Sequence, residues 1–120
     1  MQNVLAVDDS PSMRSLVDFV LKRAGYNVVL AEDGEQALAW AQDNTVDLVL
    51  TDINMPKLDG IGLIRALRAM PSYQYVPMLV LTTEYGREKK LEGKAAGATG
   101  WIVKPFEPTM LIQTISRVLS

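Results

Sequence analysis

Five short apolar runs punctuate the chain, at residues 4–7, 28–31, 48–50, 78–81 and 101–103. Each is too short for a helix and rich in Val, Ile or Leu, as strands buried on both faces are. The stretches between them carry helical periodicity. The first opens at Ser10 and Pro11, a capping hydroxyl followed by a residue whose fixed φ suits the first helical position. Met13, Leu16, Val17, Val20 and Leu21 then share one face, and Gly25 can end it. The second starts at Asp33 and turns Ala37, Leu38 and Ala41 inward. Ile61, Leu63, Ile64 and Leu67 mark a third, stopped near Pro71. The fourth, over residues 87–96, is polar with a thin apolar face and ends before Gly97. The fifth follows Pro108 and carries Leu111, Ile115, Val118 and Leu119 on one stripe.

Strand and helix alternating in this way imply an α/β fold, a doubly wound five-stranded parallel sheet with helices on both faces. The 120 residues suit one domain, large enough to bury roughly two-thirds of its unfolded surface. In such sheets reactive groups gather beyond the carboxyl ends of the strands. The first run ends at Asp8 and Asp9, the third at Asp52 in "LVLTDINMP", the fourth at Thr82 and Thr83, the fifth at Lys104 in "WIVKPF". The second ends more blandly, at Glu32. Parallel strands bring these distant residues to one edge. Alone, the adjacent aspartates would read as a solvated acidic loop, and Asp52 as a turn cap. Together they read as a site.

Composition narrows the chemistry. Without cysteine or histidine, the chain has no disulfide, thiolate nucleophile, Ser-His triad, His-ligated zinc or phosphohistidine of its own. Twelve Lys and Arg against fourteen Asp and Glu give no global field that would favour nucleic acid or an anionic membrane. No targeting segment is visible, and no apolar run approaches the roughly 20 residues of a membrane helix. The expectation is a cytoplasmic protein with no nucleic-acid or membrane partner. Gly60 and Gly62 in "LDGIGL" do not form a nucleotide loop, since no GxxxxGK[ST] exists.

Two unit charges about 4 Å apart repel by ~4 kcal/mol at an effective dielectric near 20. Three crowded carboxylates therefore call for protonation or a cation, and Lys104 offsets only part of the charge. Oxygen donors without nitrogen or sulfur select a hard ion such as Mg2+. A cation, an ammonium and a hydroxyl together suit the oxygens of a phosphoryl group, and a carboxylate can itself be the nucleophile. The pattern thus points to Mg2+-assisted phosphoryl transfer to an aspartate, without saying which.

"VDDSPSMR", "TDINMPKLDG", "LTTE" and "GWIVKPF", in this order and spacing, resemble the response-regulator receiver domain, specifically its stand-alone CheY-like chemotaxis members. The resemblance spans the chain and implies a single receiver domain over residues 1–120. It also implies the flavodoxin-like strand order 2-1-3-4-5, an order that belongs to the family and that strand periodicity alone leaves open. By this resemblance Asp52 accepts phosphate from a histidine kinase. Asp9 and Asp52 hold Mg2+ with the carbonyl of Asn54, Asp8 helps through water, and Thr82 and Lys104 contact the phosphoryl oxygens. The Lys104–Pro105 bond is usually cis in the family.

Asn54 and Glu84 occupy flanking positions where the family tunes dephosphorylation. Trp101 stands where a smaller aromatic often moves on activation. With Lys90 and Lys94 on the polar fourth helix, it is assigned to an output surface, although a basic run on a helix is commonly just a solvated face. The implied partners are a histidine kinase, the flagellar motor switch and a phosphatase. The "ATG" at residues 98–100, where dimerising winged-helix regulators often carry "ADD", implies a monomer. The chain then acts as a phosphoacceptor switch and not as an enzyme. The alternatives are a phosphate sink or relay, a regulator of another enzyme, or a metal-dependent aspartyl-phosphate phosphatase. Enzymes of that last kind carry a DxD where this chain has "DDS".

Overall fold

In the computed structural model, which describes residues 1–120, the alternation becomes β1 Asn3–Val7, α1 Pro11–Arg23, β2 Asn27–Ala31, α2 Gly34–Ala41, β3 Leu48–Thr51, α3 Gly60–Arg68, β4 Met78–Thr82, α4 Arg87–Ala96, β5 Gly100–Val103 and α5 Pro108–Leu119. A 3-10 turn, Pro71–Tyr73, follows α3. All strand pairs are parallel, in the order β2-β1-β3-β4-β5. This is the order the resemblance implied.

Side chains alternate across the pleat, so each central strand feeds two cores. Leu5, Val7, Val49, Met78 and Val80 face α2, α3 and α4, where they meet Ala37, Ala41, Ile61, Ile64, Leu67 and Ala96. Val4, Ala6, Leu48, Leu50, Leu79 and Leu81 face α1 and α5, against Val17, Leu21, Leu111 and Ile115. Both faces are therefore covered, which is why β1, β3 and β4 read as unbroken apolar runs.

Four helices are started by side chains. The Ser10 hydroxyl accepts from the Met13 N–H, Asp33 from Gln36, Asp59 from Gly62, and Glu107 from Thr109 and Met110. Asp33 is thus the cap of α2 and not its first helical residue. α4 is the exception: it starts at Gly86 with no side-chain cap, buries only Gly93 and Ala96, and leaves Leu91 exposed. It ends at Gly97, whose φ of 115° is a left-handed conformation natural to glycine.

Candidate functional site

The sheet edge is built by continuing the ladder one residue past the strands. The Asp8 N–H donates to the Ala31 carbonyl at 3.1 Å, Asp52 to Val7 at 3.0 Å, and Lys104 to Thr82 at 2.8 Å. Each functional side chain thus hangs from a backbone position fixed by a neighbouring strand. β1 and β3 flank the switch point, because the chain steps to β2 on one side of β1 and to β3 on the other. Clefts at such points are where doubly wound sheets bind ligands.

The carboxylates of Asp8, Asp9 and Asp52 present oxygens all within 4.8 Å of one another. The Lys104 ammonium bridges two of them, donating to Asp8 Oδ2 at 2.7 Å and Asp52 Oδ2 at 3.0 Å. Burial lowers the lysine pKa, but the two carboxylates more than offset it, and the net effect is to raise it. The second oxygens are also held: Asp52 Oδ1 accepts from the Ile53 N–H at 2.6 Å, and Asp8 Oδ1 from Ser10 at 2.9 Å. Asp8 and Asp52 are buried, while Asp9 is exposed beside them.

Thr82 is fully buried, and its hydroxyl oxygen accepts from the Glu84 N–H at 3.2 Å. That leaves the hydroxyl proton to donate. Glu84 links three of the residues singled out in the sequence. Its carboxylate accepts from Asn54 Nδ2 at 3.3 Å, and its carbonyl accepts from the Trp101 indole N–H at 2.8 Å. Trp101 is half-buried against Gly93 of α4. Lys90, Lys94 and Trp101 line one cavity of about 320 Å3 with Ala98, Thr99 and Gly100. The Lys104–Pro105 peptide is cis.

Sequence reasoning overlooked Arg14. Its guanidinium donates to the Asp8 carbonyl at 2.7 Å and lies 3.7 Å from Glu32. The available signal was a cation in the first turns of the helix after an acidic pair, since helical side chains lean toward the N-terminus.

The donor set is all oxygen, in a chain lacking histidine and cysteine. With Asp9 uncommitted, it fits a hard divalent ion. It does not enclose a small molecule. The cavity that Asp52 lines measures about 10 Å3, and the largest, about 580 Å3, runs along β5 and α5.

A doubly wound receiver-like sheet with three carboxylates and a lysine at its switch point defines the class. Residues 4–116 match the response regulator receiver domain, and the chain belongs to that family. Two curated relatives set its context. One is the chemotaxis protein CheY of Pseudomonas aeruginosa, 36% identical over 96% of this chain and 94% of the relative. The other is a gliding motility regulatory protein of Myxococcus xanthus, 41% identical over 96% of this chain and 15% of the relative. Among solved structures, the chemotaxis protein CheY4 of Vibrio cholerae is 51% identical over 98% of both chains, with a TM-score of 0.94. The receiver domain of the Pseudomonas aeruginosa sensor histidine kinase PA1611, 30% identical with a TM-score of 0.92 over 98% of this chain and 97% of its own, holds a magnesium ion in its active-site cleft.

Proposed function

We propose that this receiver is a phosphorylation switch in which Asp52 takes a phosphoryl group from a histidine kinase, with chemotactic control of the flagellar motor as the output. The observation that carries this reading is the Lys104 ammonium shared between Asp8 and Asp52, a positive charge held where phosphoryl oxygens would need one. An Asp52 oxygen forms the O–P bond as the N–P bond of the phosphohistidine breaks, and the imidazole leaves with the bonding pair. Asp9 and Asp52, with the Asn54 carbonyl and with Asp8 beside them, would hold a Mg2+ ion, and the ion would supply further positive charge to the transferring group. Lys104 exchanges a carboxylate contact for a phosphoryl oxygen, and the Thr82 hydroxyl donates to another. The magnesium-bearing PA1611 receiver supports the metal, and the CheY relatives support the output.

Asn54 and Glu84, hydrogen-bonded to each other, position the water that ends the signal. Drawing Thr82 toward the phosphoryl group perturbs the Glu84 backbone it contacts, and with it the Trp101 indole. Trp101, Lys90 and Lys94 are the surface that reads this change.

Acetyl phosphate with Mg2+ should add one phosphoryl group, seen by intact-mass spectrometry, and Asp52→Asn should abolish it. Full labelling of that variant on Asp8 or Asp9 would overturn the assignment. Decay of the label after removal of the donor should change in Asn54→Ala and in Glu84→Ala. Unchanged decay in both would remove their role.

A further inference from the structure

We infer that Arg14 is a positioning residue for the divalent-cation site, acting through the Asp8–Asp9 peptide. The inference rests on the reading of the carboxylates as a Mg2+ site. Every polar group of Asp8 is engaged by protein. Its N–H donates to Ala31, its carbonyl accepts from Arg14, and its two carboxylate oxygens accept from Ser10 and Lys104. Asp9 is exposed and within ligand distance of the cluster, and none of these partners hydrogen-bonds to its side chain. What aims its carboxylate is the backbone. The Asp8 carbonyl belongs to the peptide joining Asp8 to Asp9, so the 2.7 Å bond from Arg14 Nη1 fixes that peptide plane and the direction in which Asp9 leaves it.

Two features of Arg14 argue for a role beyond packing. It stands in the opening turns of α1, where a cation opposes the helix dipole. It is nonetheless held in place, with a mostly buried side chain and Glu32 at 3.7 Å on its far side. A guanidinium near the site also repels a divalent cation, so charge alone makes Arg14 unfavourable for metal binding. Its value lies in geometry: a planar fork that grips the carbonyl with one nitrogen and faces Glu32 with the other, which an ammonium cannot reproduce. Groups that orient ligands in this way are commonly worth about 10- to 100-fold in metal affinity.

The sign of the effect separates the possibilities. Mg2+ alone is titrated calorimetrically into wild type, Arg14→Met and Arg14→Lys, and each is melted in chelator. Arg14→Met should bind Mg2+ about ten-fold more weakly. Arg14→Lys should fall between it and wild type, and metal-free melting should fall only by what the lost hydrogen bond to one backbone carbonyl accounts for. A role through charge predicts tighter binding in Arg14→Met, and a purely structural role predicts lower melting with unchanged affinity. Either result overturns the inference. Should Arg14→Met fail to fold, Arg14→Lys carries the test alone: weaker binding supports the inference and wild-type affinity overturns it. Absence of Mg2+ binding in wild type would instead overturn the metal reading itself, and this inference with it.

Discussion

Gly60 opens α3 directly against the backbone of the phosphoacceptor candidate. A Cβ at this position would lie 1.9 Å from the Asp52 carbonyl oxygen and 2.9 Å from the Ile53 Cα, both backbone atoms, and the Gly60 N–H donates to Ile53 at 2.9 Å. Backbone cannot rotate away as a side-chain tip can, so the strand end carrying Asp52 would have to move. Gly60→Ala should therefore cost about 3 kcal/mol, at the upper end of overpacking, and lower the yield of phosphorylated protein. Gly62 is two residues on, and its Cβ would meet the Leu58 Cδ1 at 2.8 Å, the flexible end of a side chain. Gly62→Ala gains helix propensity and should cost less than about 1 kcal/mol. Urea melts of the two variants check the contrast, and equal costs would show that the Asp52 backbone yields. The sequence marked both glycines only as no nucleotide loop, because a close approach between a helix start and a strand end eight residues earlier leaves no periodic trace.

At the scale of the element, α4 differs from its neighbours. Full burial of a Leu or Ile side chain contributes about 1.5–3 kcal/mol, and α4 buries neither. The polar sequence of residues 87–96 showed this thin face directly. Its two ends are held unequally, which the sequence did not show. Arg68 donates from Nε and Nη2 to the Gly97 carbonyl and from Nη1 to those of Tyr73, Gln74 and Val76, while the Gly86 end has no side-chain cap. An arginine reading four backbone carbonyls is invisible to hydrophobic patterning, since its partners are not side chains. The contact between α4 and the sheet edge is Trp101 on Gly93, where a Cβ would stand 2.6 Å from Cζ3. Gly93→Ala should expel the indole and break its 2.8 Å bond to the Glu84 carbonyl. The gain in helix propensity, about 1 kcal/mol, is offset by the lost hydrogen bond, also about 1 kcal/mol. The indole surface exposed to water adds a further cost, so the variant should be modestly less stable while the indole N–H resonance moves to its solvent position. An unshifted resonance would mean that α4 moves aside instead, leaving the Trp101–Glu84 link intact.

Across the whole molecule, the legible part of the fold was what periodicity and strand ends encode: five strands, five helices, and Asp8, Asp52, Thr82 and Lys104 at one edge. The illegible part is held by single polar groups reaching backbone over long separations, and Tyr73 is the deepest of these. It lies in the turn after α3, fully buried, and its hydroxyl donates to the Asn44 carbonyl at 2.7 Å. It thereby ties the segment between α2 and β3 to the segment between α3 and β4. Burial raises its phenol pKa above the ordinary value, because an anion there would lose hydration. The folded protein thus holds this proton more tightly than the unfolded chain, whose tyrosine ionises near 10. The resulting stabilisation is complete below about pH 10 and is lost as pH rises through the higher folded-state value. Tyr73→Phe should cost about 1 kcal/mol at pH 8 by leaving the Asn44 carbonyl without its donor, and it lacks the proton-linked loss. Lys104, also raised, adds alkaline instability of the same sign to both proteins and cancels in the difference. Denaturant melts from pH 8 to 11 should show the gap between wild type and Tyr73→Phe narrowing above about pH 10. Parallel curves across that range would mean that the phenol ionises without disturbing the fold, and that the tie to Asn44 does not couple the two segments.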